Sequence, residues 1–380
     1  MKILFAGGGT GGHFYPLIAI AEDINKLTDA QRITGCKLYY MSDTAYDAVA
    51  LEQHFITYIP IVAGKMRVYF SLKNFFDLFK TALGIVAAIF KVFRLYPDVV
   101  ISKGGYAAFP TLVAARLLRI PVIVHESDTV PGRVNIWAGK FAVKVAISYP
   151  EAAQYFDAKK VSVTGQPVRS AVAHAANDKV GAATFFELDP NIPTIGVLGG
   201  SQGAEAINNI MTEVASGLVE RYQVIHQTGK GPYDSVKSDA DVLLADSARK
   251  DRYKLYPFMN DVESKMFASM CDLIITRAGS TLFEVAAWGK PSIVIPYPIA
   301  HGDHQRKNAY HYARTGACTV IEEGNLTDSV LVNEIDQILD PADDSHRAAM
   351  SGHAVHFYTP DAGKMIATEA LTIALSHETR

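Results

Sequence analysis

At 380 residues, 49% of them apolar, the chain is globular and long enough for two domains that each bury a core. A net charge of −3 excludes any global attraction to nucleic acid or to anionic membrane, so a basic surface has to be local. Three widely separated cysteines, Cys36, Cys271 and Cys318, exclude a disulfide framework and a cysteine metal site, and they point to a reducing compartment.

The opening MKILFAGGG is too short in its apolar part for a signal peptide, and KILFA (2–6) reads as a first buried strand, so export is not expected. The loop GGGTGGH (7–13) follows, and the pattern then turns helical near His13 to Pro16. KLYYM (37–41) is the next strand. Residues 65–94 combine Lys65, Arg67, Lys73, Lys80, Lys91 and Arg94 with Phe70, Phe75, Phe76, Phe79, Phe90 and Phe93, against the single acid Asp77. That composition suits an interfacial helix among anionic headgroups, and equally a core helix whose lysine stems reach outward. No apolar run attains the roughly 18 residues of a spanning helix, so any membrane contact is peripheral. VVIS (99–102), VIVH (122–125) and VAIS (145–148) complete a first βαβ series, which closes at VSVTGQPVR (161–169). A second series follows with TIGVL (194–198), QVIHQ (223–227), LIIT (273–276) and SIVIP (292–296), and its first strand also runs into a glycine loop, GGSQGAEAIN (199–208). The fold class predicted is α/β, with two doubly wound Rossmann-like domains facing a cleft. Their spans are 1–165 and 166–360, and a terminal helix, 361–380, returns to the first domain. Glycine loops at strand ends are where such sheets bind ligands.

Gly7, Gly9 and Gly12 with Asp43 also fit a dinucleotide fingerprint, which keeps a dinucleotide-dependent oxidoreductase open. Neither the second glycine loop, with Ser201 and Gln202, nor the stretch TRAGSTLFEVAAWGKP (276–291) is needed by such an enzyme. In that stretch Ser280 and Thr281 start a helix that can receive a diphosphate, and Glu284 can accept both hydroxyls of a ribose. Thr281 and Glu284 fit a capping box as well. His304, Gln305 and Asn308 share one side of a later helix start, suited either to sugar hydroxyls or to plain solvation.

GGGTGGHFYPLIAIA, SKGGYAAFP, HESDTVPG, TGQPVR, GGSQGA, TRAGS…E and GDHQ…NA occur in an order and spacing that resemble the MurG family over nearly the whole chain. The resemblance implies a GT-B fold and an inverting UDP-sugar-dependent hexosyltransferase. Its donor would be UDP-N-acetylglucosamine and its acceptor an undecaprenyl-diphosphate-linked N-acetylmuramyl-peptide (lipid I to lipid II). The product serves peptidoglycan synthesis, hence cell-wall biogenesis, cell shape and division. The enzyme would act peripherally at the cytoplasmic face of the plasma membrane, with no metal or other cofactor and no nucleic acid. Another UDP-sugar transferase of the same fold acting on a lipid, a UDP-sugar epimerase, or a non-catalytic nucleotide-sugar binder remain as alternatives. Position by position, the resemblance puts Gly9, Thr10, Gly11, Gly12, His13 and Tyr106 near the acceptor diphosphate. It gives the donor Ser201, Gln202, Arg169, Met259 beside Phe258, Ser280, Thr281, Glu284 and Gln305, with Thr10, Gly11, Gly12 and Asp128 from the first domain. His13 is the first candidate base, since a helix N-terminus disfavours its protonated form, and Glu126 is the second. Where the family carries Asn after His-Glu-x, this chain has Asp128, and the loop from Gly279 to Glu284 is one residue shorter than the common pattern.

Overall fold

Runs of β-branched and apolar residues alternate with helix-length segments along the chain, and parallel pairing needs such crossovers between neighbouring strands. The structure, a computed structural model, describes residues 1–64, 72–173, 178–200 and 203–378, without the side chains of 72–76 and 377–378. Two compact units result: Met1–Arg169 with Thr359–Arg380, and Ser170–Tyr358. Ser201, Gln202, Lys65, Arg67 and Phe70 lie outside the described residues, as do the side chains of Lys73, Phe75 and Phe76.

Among the described residues, the first unit holds a parallel sheet of β1 (Lys2–Ala6), β2 (Lys37–Ser42), β3 (Ile56–Pro60), β4 (Val99–Ser102), β5 (Val122–Glu126), β6 (Lys144–Ile147) and β7 (Val161–Val163). The strand order is β3-β2-β1-β4-β5-β6-β7, so the winding reverses between β1 and β4. Ala6 pairs with Ser102 and Ser102 with Val124, which brings the ends of β1 and β4 level at that reversal while β5 runs on to Glu126. The helix Gly11–Ala30 covers one face with Phe14, Leu17 and Ile18, and the closing helix Ala362–Glu378 packs against it through Ile366, Ala370 and Leu371. On the other face the helix Leu72–Leu95 buries Ala88 and Val92. Its opposite stripe, Phe79, Leu83, Val86, Phe90 and Phe93, is 57–68% exposed. The segment is therefore core on one face and apolar surface on the other.

The second unit repeats the plan with β8 (Thr194–Leu198), β9 (Gln223–Gln227), β10 (Tyr253–Tyr256), β11 (Leu273–Thr276), β12 (Ser292–Val294) and β13 (Cys318–Val320). Their order, β10-β9-β8-β11-β12-β13, puts the reversal between β8 and β11. Both glycine loops thus leave strands at a switch point, where adjacent crossovers part and open a crevice.

The closing helix is held by buried small and aliphatic side chains, among them Leu371 at 3% exposure. Leu371→Ala should cost about 2–5 kcal/mol, the range for deleting a buried leucine side chain. Urea unfolding checks it, and an unchanged midpoint would mean that the helix adds nothing to the core of the first unit.

Candidate active site

In the first unit the chain leaves β1 through Gly8 and Gly9, both at positive φ, and enters its first helix at Gly11. Gly9 has to be glycine for a second reason, because the Tyr106 ring lies where a Cβ would sit, 2.9 Å from it. Thr10 is the N-cap, makes no side-chain capping bond, and is followed by no acid in the first turn. The helix start therefore keeps its electropositive character. His13 Nδ1 lies 3.2 Å from the Gly8 carbonyl and 3.3 Å from Thr10 Oγ1. A carbonyl only accepts, so Nδ1 carries the proton and Nε2 the lone pair. Tyr106 Oη donates to Asp43 Oδ2 at 2.7 Å, and burial, together with that bond, pushes its phenol up to about 12. The Arg169 guanidinium stacks 3.8 Å over the Tyr15 ring, which follows the same turn.

Glu126, at the end of β5, does not suit the role of base. It is 3% exposed, and its Oε1 accepts from the amides of Ser127 (2.8 Å) and Asp128 (3.0 Å). Oε2 accepts from the Gly132 amide (3.0 Å) and from Asn135 Nδ2 (2.9 Å). Burial raises its carboxyl above the ordinary range and so does the charge of Asp128, while Lys103 and the Asn135 bond act against them. Both oxygens are engaged in holding the turn 127–132, and the candidate base Glu126 is corrected to an organiser of that turn. Asp128 is half-buried within it.

The second unit carries a cleft of about 1020 Å³ at the ends of β8 and β11, lined by Gly199, Gly200, Asn208, Arg277, Gly279, Thr281, Tyr297 and Gln305 among others. Gln305 Oε1 accepts from the Tyr297 amide at 3.0 Å, which fixes the side chain and leaves its amide nitrogen as the donor end. Arg277 is paired with Glu323 at 2.5 Å and donates to the Ile295 carbonyl at 3.1 Å. The helix Thr281–Ala287 starts at the cleft with Thr281 and carries a half-buried Glu284 in its first turn; it is N-capped by Ser280, which makes no side-chain capping bond, so Thr281 is not the cap of a capping box. Two sequence expectations change here. Asn308 is 1% exposed and donates to the Ala278 carbonyl at 3.1 Å, so it braces the loop and is not offered to a sugar. The Met259 amide is already spent on Gln227 Oε1 at 2.9 Å, and the Met259 side chain is 4% exposed, which leaves only its carbonyl for a base edge.

Asn208, which the sequence did not single out, is set by a buried neutral network. His226 Nε2 donates to Asn208 Oδ1 at 3.0 Å, Asn208 Nδ2 donates to the Thr228 carbonyl at 3.1 Å, and the Tyr253 hydroxyl donates to His226 Nδ1 at 2.9 Å. The signal available was a histidine inside the apolar strand QVIHQ, which has to find partners once buried.

Residues 3–147 match the glycosyltransferase family 28 N-terminal domain and residues 194–364 the glycosyltransferase family 28 C-terminal domain. A UDP-N-acetylglucosamine--N-acetylmuramyl-(pentapeptide) pyrophosphoryl-undecaprenol N-acetylglucosamine transferase of Thermodesulfovibrio yellowstonii is 37% identical, covering 96% of this chain and 97% of that protein. A protein of the same description from Borrelia turicatae is 32% identical over 96% and 95%. Among solved structures, Acinetobacter baumannii MurG superposes with a TM-score of 0.68 at 25% identity, covering 98% and 99%. A Staphylococcus aureus MnaA–UDP co-structure shares the fold, with a TM-score of 0.69 at 16% identity, covering 96% and 94%.

Burial lowers His226 to about 3 and holds His125 well below the ordinary value as well. Both rings are neutral in the fold and bind a proton once unfolded below about pH 6.5. The unfolded state then binds more protons, so the stability is complete above that pH and declines as pH falls, for His226 down to about pH 3 and by up to about 1.4 kcal/mol per pH unit. Urea midpoints at pH 7 and pH 5 should differ accordingly, with a shallower pH slope in His226→Gln. Equal slopes would remove His226 from the acid sensitivity.

Proposed function

The chain belongs to the MurG family within glycosyltransferase family 28, and from that premise we propose that it moves N-acetylglucosamine from UDP-N-acetylglucosamine to the lipid-linked N-acetylmuramyl-pentapeptide of peptidoglycan synthesis. The observation that carries the reading is the 37% identity across 96% of the chain to a transferase of that description. It is supported by a second-unit cleft of about 1020 Å³ at the switch point between β8 and β11.

In this reading the donor belongs to the second unit. Gly199, Gly200 and the start of the Thr281–Ala287 helix face its diphosphate, Glu284 its ribose, and Gln305 its sugar hydroxyls. The acceptor diphosphate belongs to the first unit, at Gly9 to His13 beside Tyr106. The acceptor hydroxyl oxygen bonds to the anomeric carbon as the carbon–phosphate-oxygen bond breaks on the opposite face, so configuration inverts. His13 Nε2 takes the hydroxyl proton, and its Nδ1 contact with the Gly8 carbonyl fixes the tautomer that makes this possible. UDP leaves with the electron pair, its charge met by helix N-termini and by Arg169 with no metal in the step.

The lipid acceptor requires the protein to reach a bilayer, and we assign that contact, at the cytoplasmic face, to the exposed stripe from Phe79 to Phe93 with Lys80, Lys91 and Arg94. No helix among the described residues is long and apolar enough to cross a membrane.

Release of UDP from UDP-N-acetylglucosamine should depend on the lipid-linked acceptor, and His13→Ala should lower that turnover by roughly 10²- to 10⁴-fold with UDP affinity nearly retained. Release that ignores the acceptor would overturn the transferase reading, whereas a loss under tenfold in the variant would move only the base. Lys80→Glu with Lys91→Glu should weaken binding to anionic vesicles in a salt-dependent way, each charge near such a surface being worth about 1 kcal/mol. Activity on a short-chain soluble acceptor should survive. Unaltered vesicle flotation would place the membrane surface elsewhere.

A further inference from the structure

Lys103 follows β4 directly, and its amide donates to the Ala6 carbonyl at 3.0 Å, so it stands beside Gly7 at the reversal of winding. Its side chain is 1% exposed, and no hydrogen bond or ion pair holds its ammonium among the described residues. A Cβ added at Gly7 would fall 3.4 Å from Lys103 Cβ and 3.0 Å from the His13 carbonyl. Glycine at position 7 is thus what lets the chain at Lys103 approach the first turn of the Gly11–Ala30 helix. The floor beneath it is rigid, because Asn135 Nδ2 bonds the His125 carbonyl (3.2 Å) and Glu126 Oε2 (2.9 Å) and reaches the Lys103 carbonyl (3.5 Å).

An ammonium buried without a partner costs several kcal/mol, and a fold keeps one only where something outside the apo chain repays it. The nearest acids do not. Glu126 is occupied by four donors, and Asp128 acts on Lys103 through its charge. Burial lowers the pKa of the ammonium, while Glu126 and Asp128 draw it back up and favour the charged form. Across Gly7 from Lys103 stands the start of a helix of 20 residues with no acid in its first turn, so lysine and helix together contribute positive potential to this end of the sheet.

We propose that Lys103 is the specificity-determining cation for the diphosphate of the lipid acceptor, which it meets together with the amides of Gly11 and Gly12. This rests on the transferase reading given above. A diphosphate also occurs in the donor, but the donor cleft lies in the second unit, whereas every group named here lies in the first.

Lys103→Met keeps the side-chain volume and removes the charge. In steady-state assays of the full chain it should raise the acceptor KM about ten- to a hundredfold, the effect of losing a charge-assisted hydrogen bond, with the KM for UDP-N-acetylglucosamine within about twofold. Its melting temperature should equal or exceed that of the wild type, since an unpaired buried charge has gone, and Lys103→Arg should retain acceptor affinity better than Met. If the lysine were structural, Met would lower the melting temperature and leave the acceptor KM in place, and the proposal would fall. In the wild type, inorganic diphosphate should compete with the acceptor. Absence of that competition overturns the proposal even if Lys103→Met does not fold. Failure of the wild type to use the acceptor at all would instead sink the transferase reading, so the two failures are distinct.

Discussion

A buried carboxylate governs the end of the first sheet at which the strands finish. Glu126 is desolvated at the end of β5, and an ionised group there is tolerable only if its lone pairs are met. Three amides from its own following turn and one side-chain amide meet them. To deliver those amides, residues 127–132 have to curl back over the carboxylate, and the helix Arg133–Gly139 has to begin where the turn ends so that Asn135 can reach it. The position of Asp128 and the rigidity of the backbone under Lys103 follow from this one requirement. A residue that the sequence marks as chemically reactive is thereby used as scaffold, and the reactive positions are those the scaffold leaves around it.

The second unit answers the same architectural problem without charge. Its polar strand interior is His226, kept neutral by burial, with Asn208 and Tyr253 as partners. On the cleft Arg277 is paired with Glu323, and the acids Glu205 and Asp239 line it as well. A cleft whose arginine is already paired and whose other charged lining residues are acids leaves glycine backbone and helix starts as the means of holding an anion. The first unit, by contrast, retains an unmatched lysine. The two glycine loops look alike in sequence, yet the electrostatics beneath them differ.

Interior strands were legible in the sequence because both faces of a doubly covered sheet are buried, which forces continuous apolar runs such as VVIS and LIIT. From them came the two parallel sheets and the two glycine loops at the switch points. The strands not foreseen, β3, β7, β10 and β13, are the edges of the two sheets. ITYIP, VSV, YKLY and CTV are short and partly exposed, so nothing forces their pattern to stand out from loop. At the site, residue types were legible and their commitments were not. Asn308 and Glu126 have the chemistry of ligand contacts, and only tertiary structure shows the carbonyl and the amides that claim them. Lys103 stands inside SKGGYAAFP, and a lysine between a fully buried strand and two glycines is a charge that needs a reason.

The helix Leu72–Leu95 shows how one segment can satisfy two opposed readings. Residues spaced four and three apart, Phe79, Leu83, Val86, Phe90 and Phe93, form a stripe along one face, and Gly84, Ala88 and Val92 form another that is buried. A helix apolar on two faces is stable in water only at the expense of exposing one of them. Lys91 contributes to the fold at the same time, through its bond to the Pro60 carbonyl. The helix is the crossover between β3 and β4, which lie in one parallel sheet, so it must run against the strands. Its first turns therefore stand at the sheet end where the strands finish and the glycine loop begins, and its last turns at the other. Phe79 and Lys80 fall on the side of the loop from Gly7 to Gly12, and Phe93 and Arg94 on the far side. The exposed apolar stripe therefore runs the length of the sheet and begins at the end where that glycine loop lies.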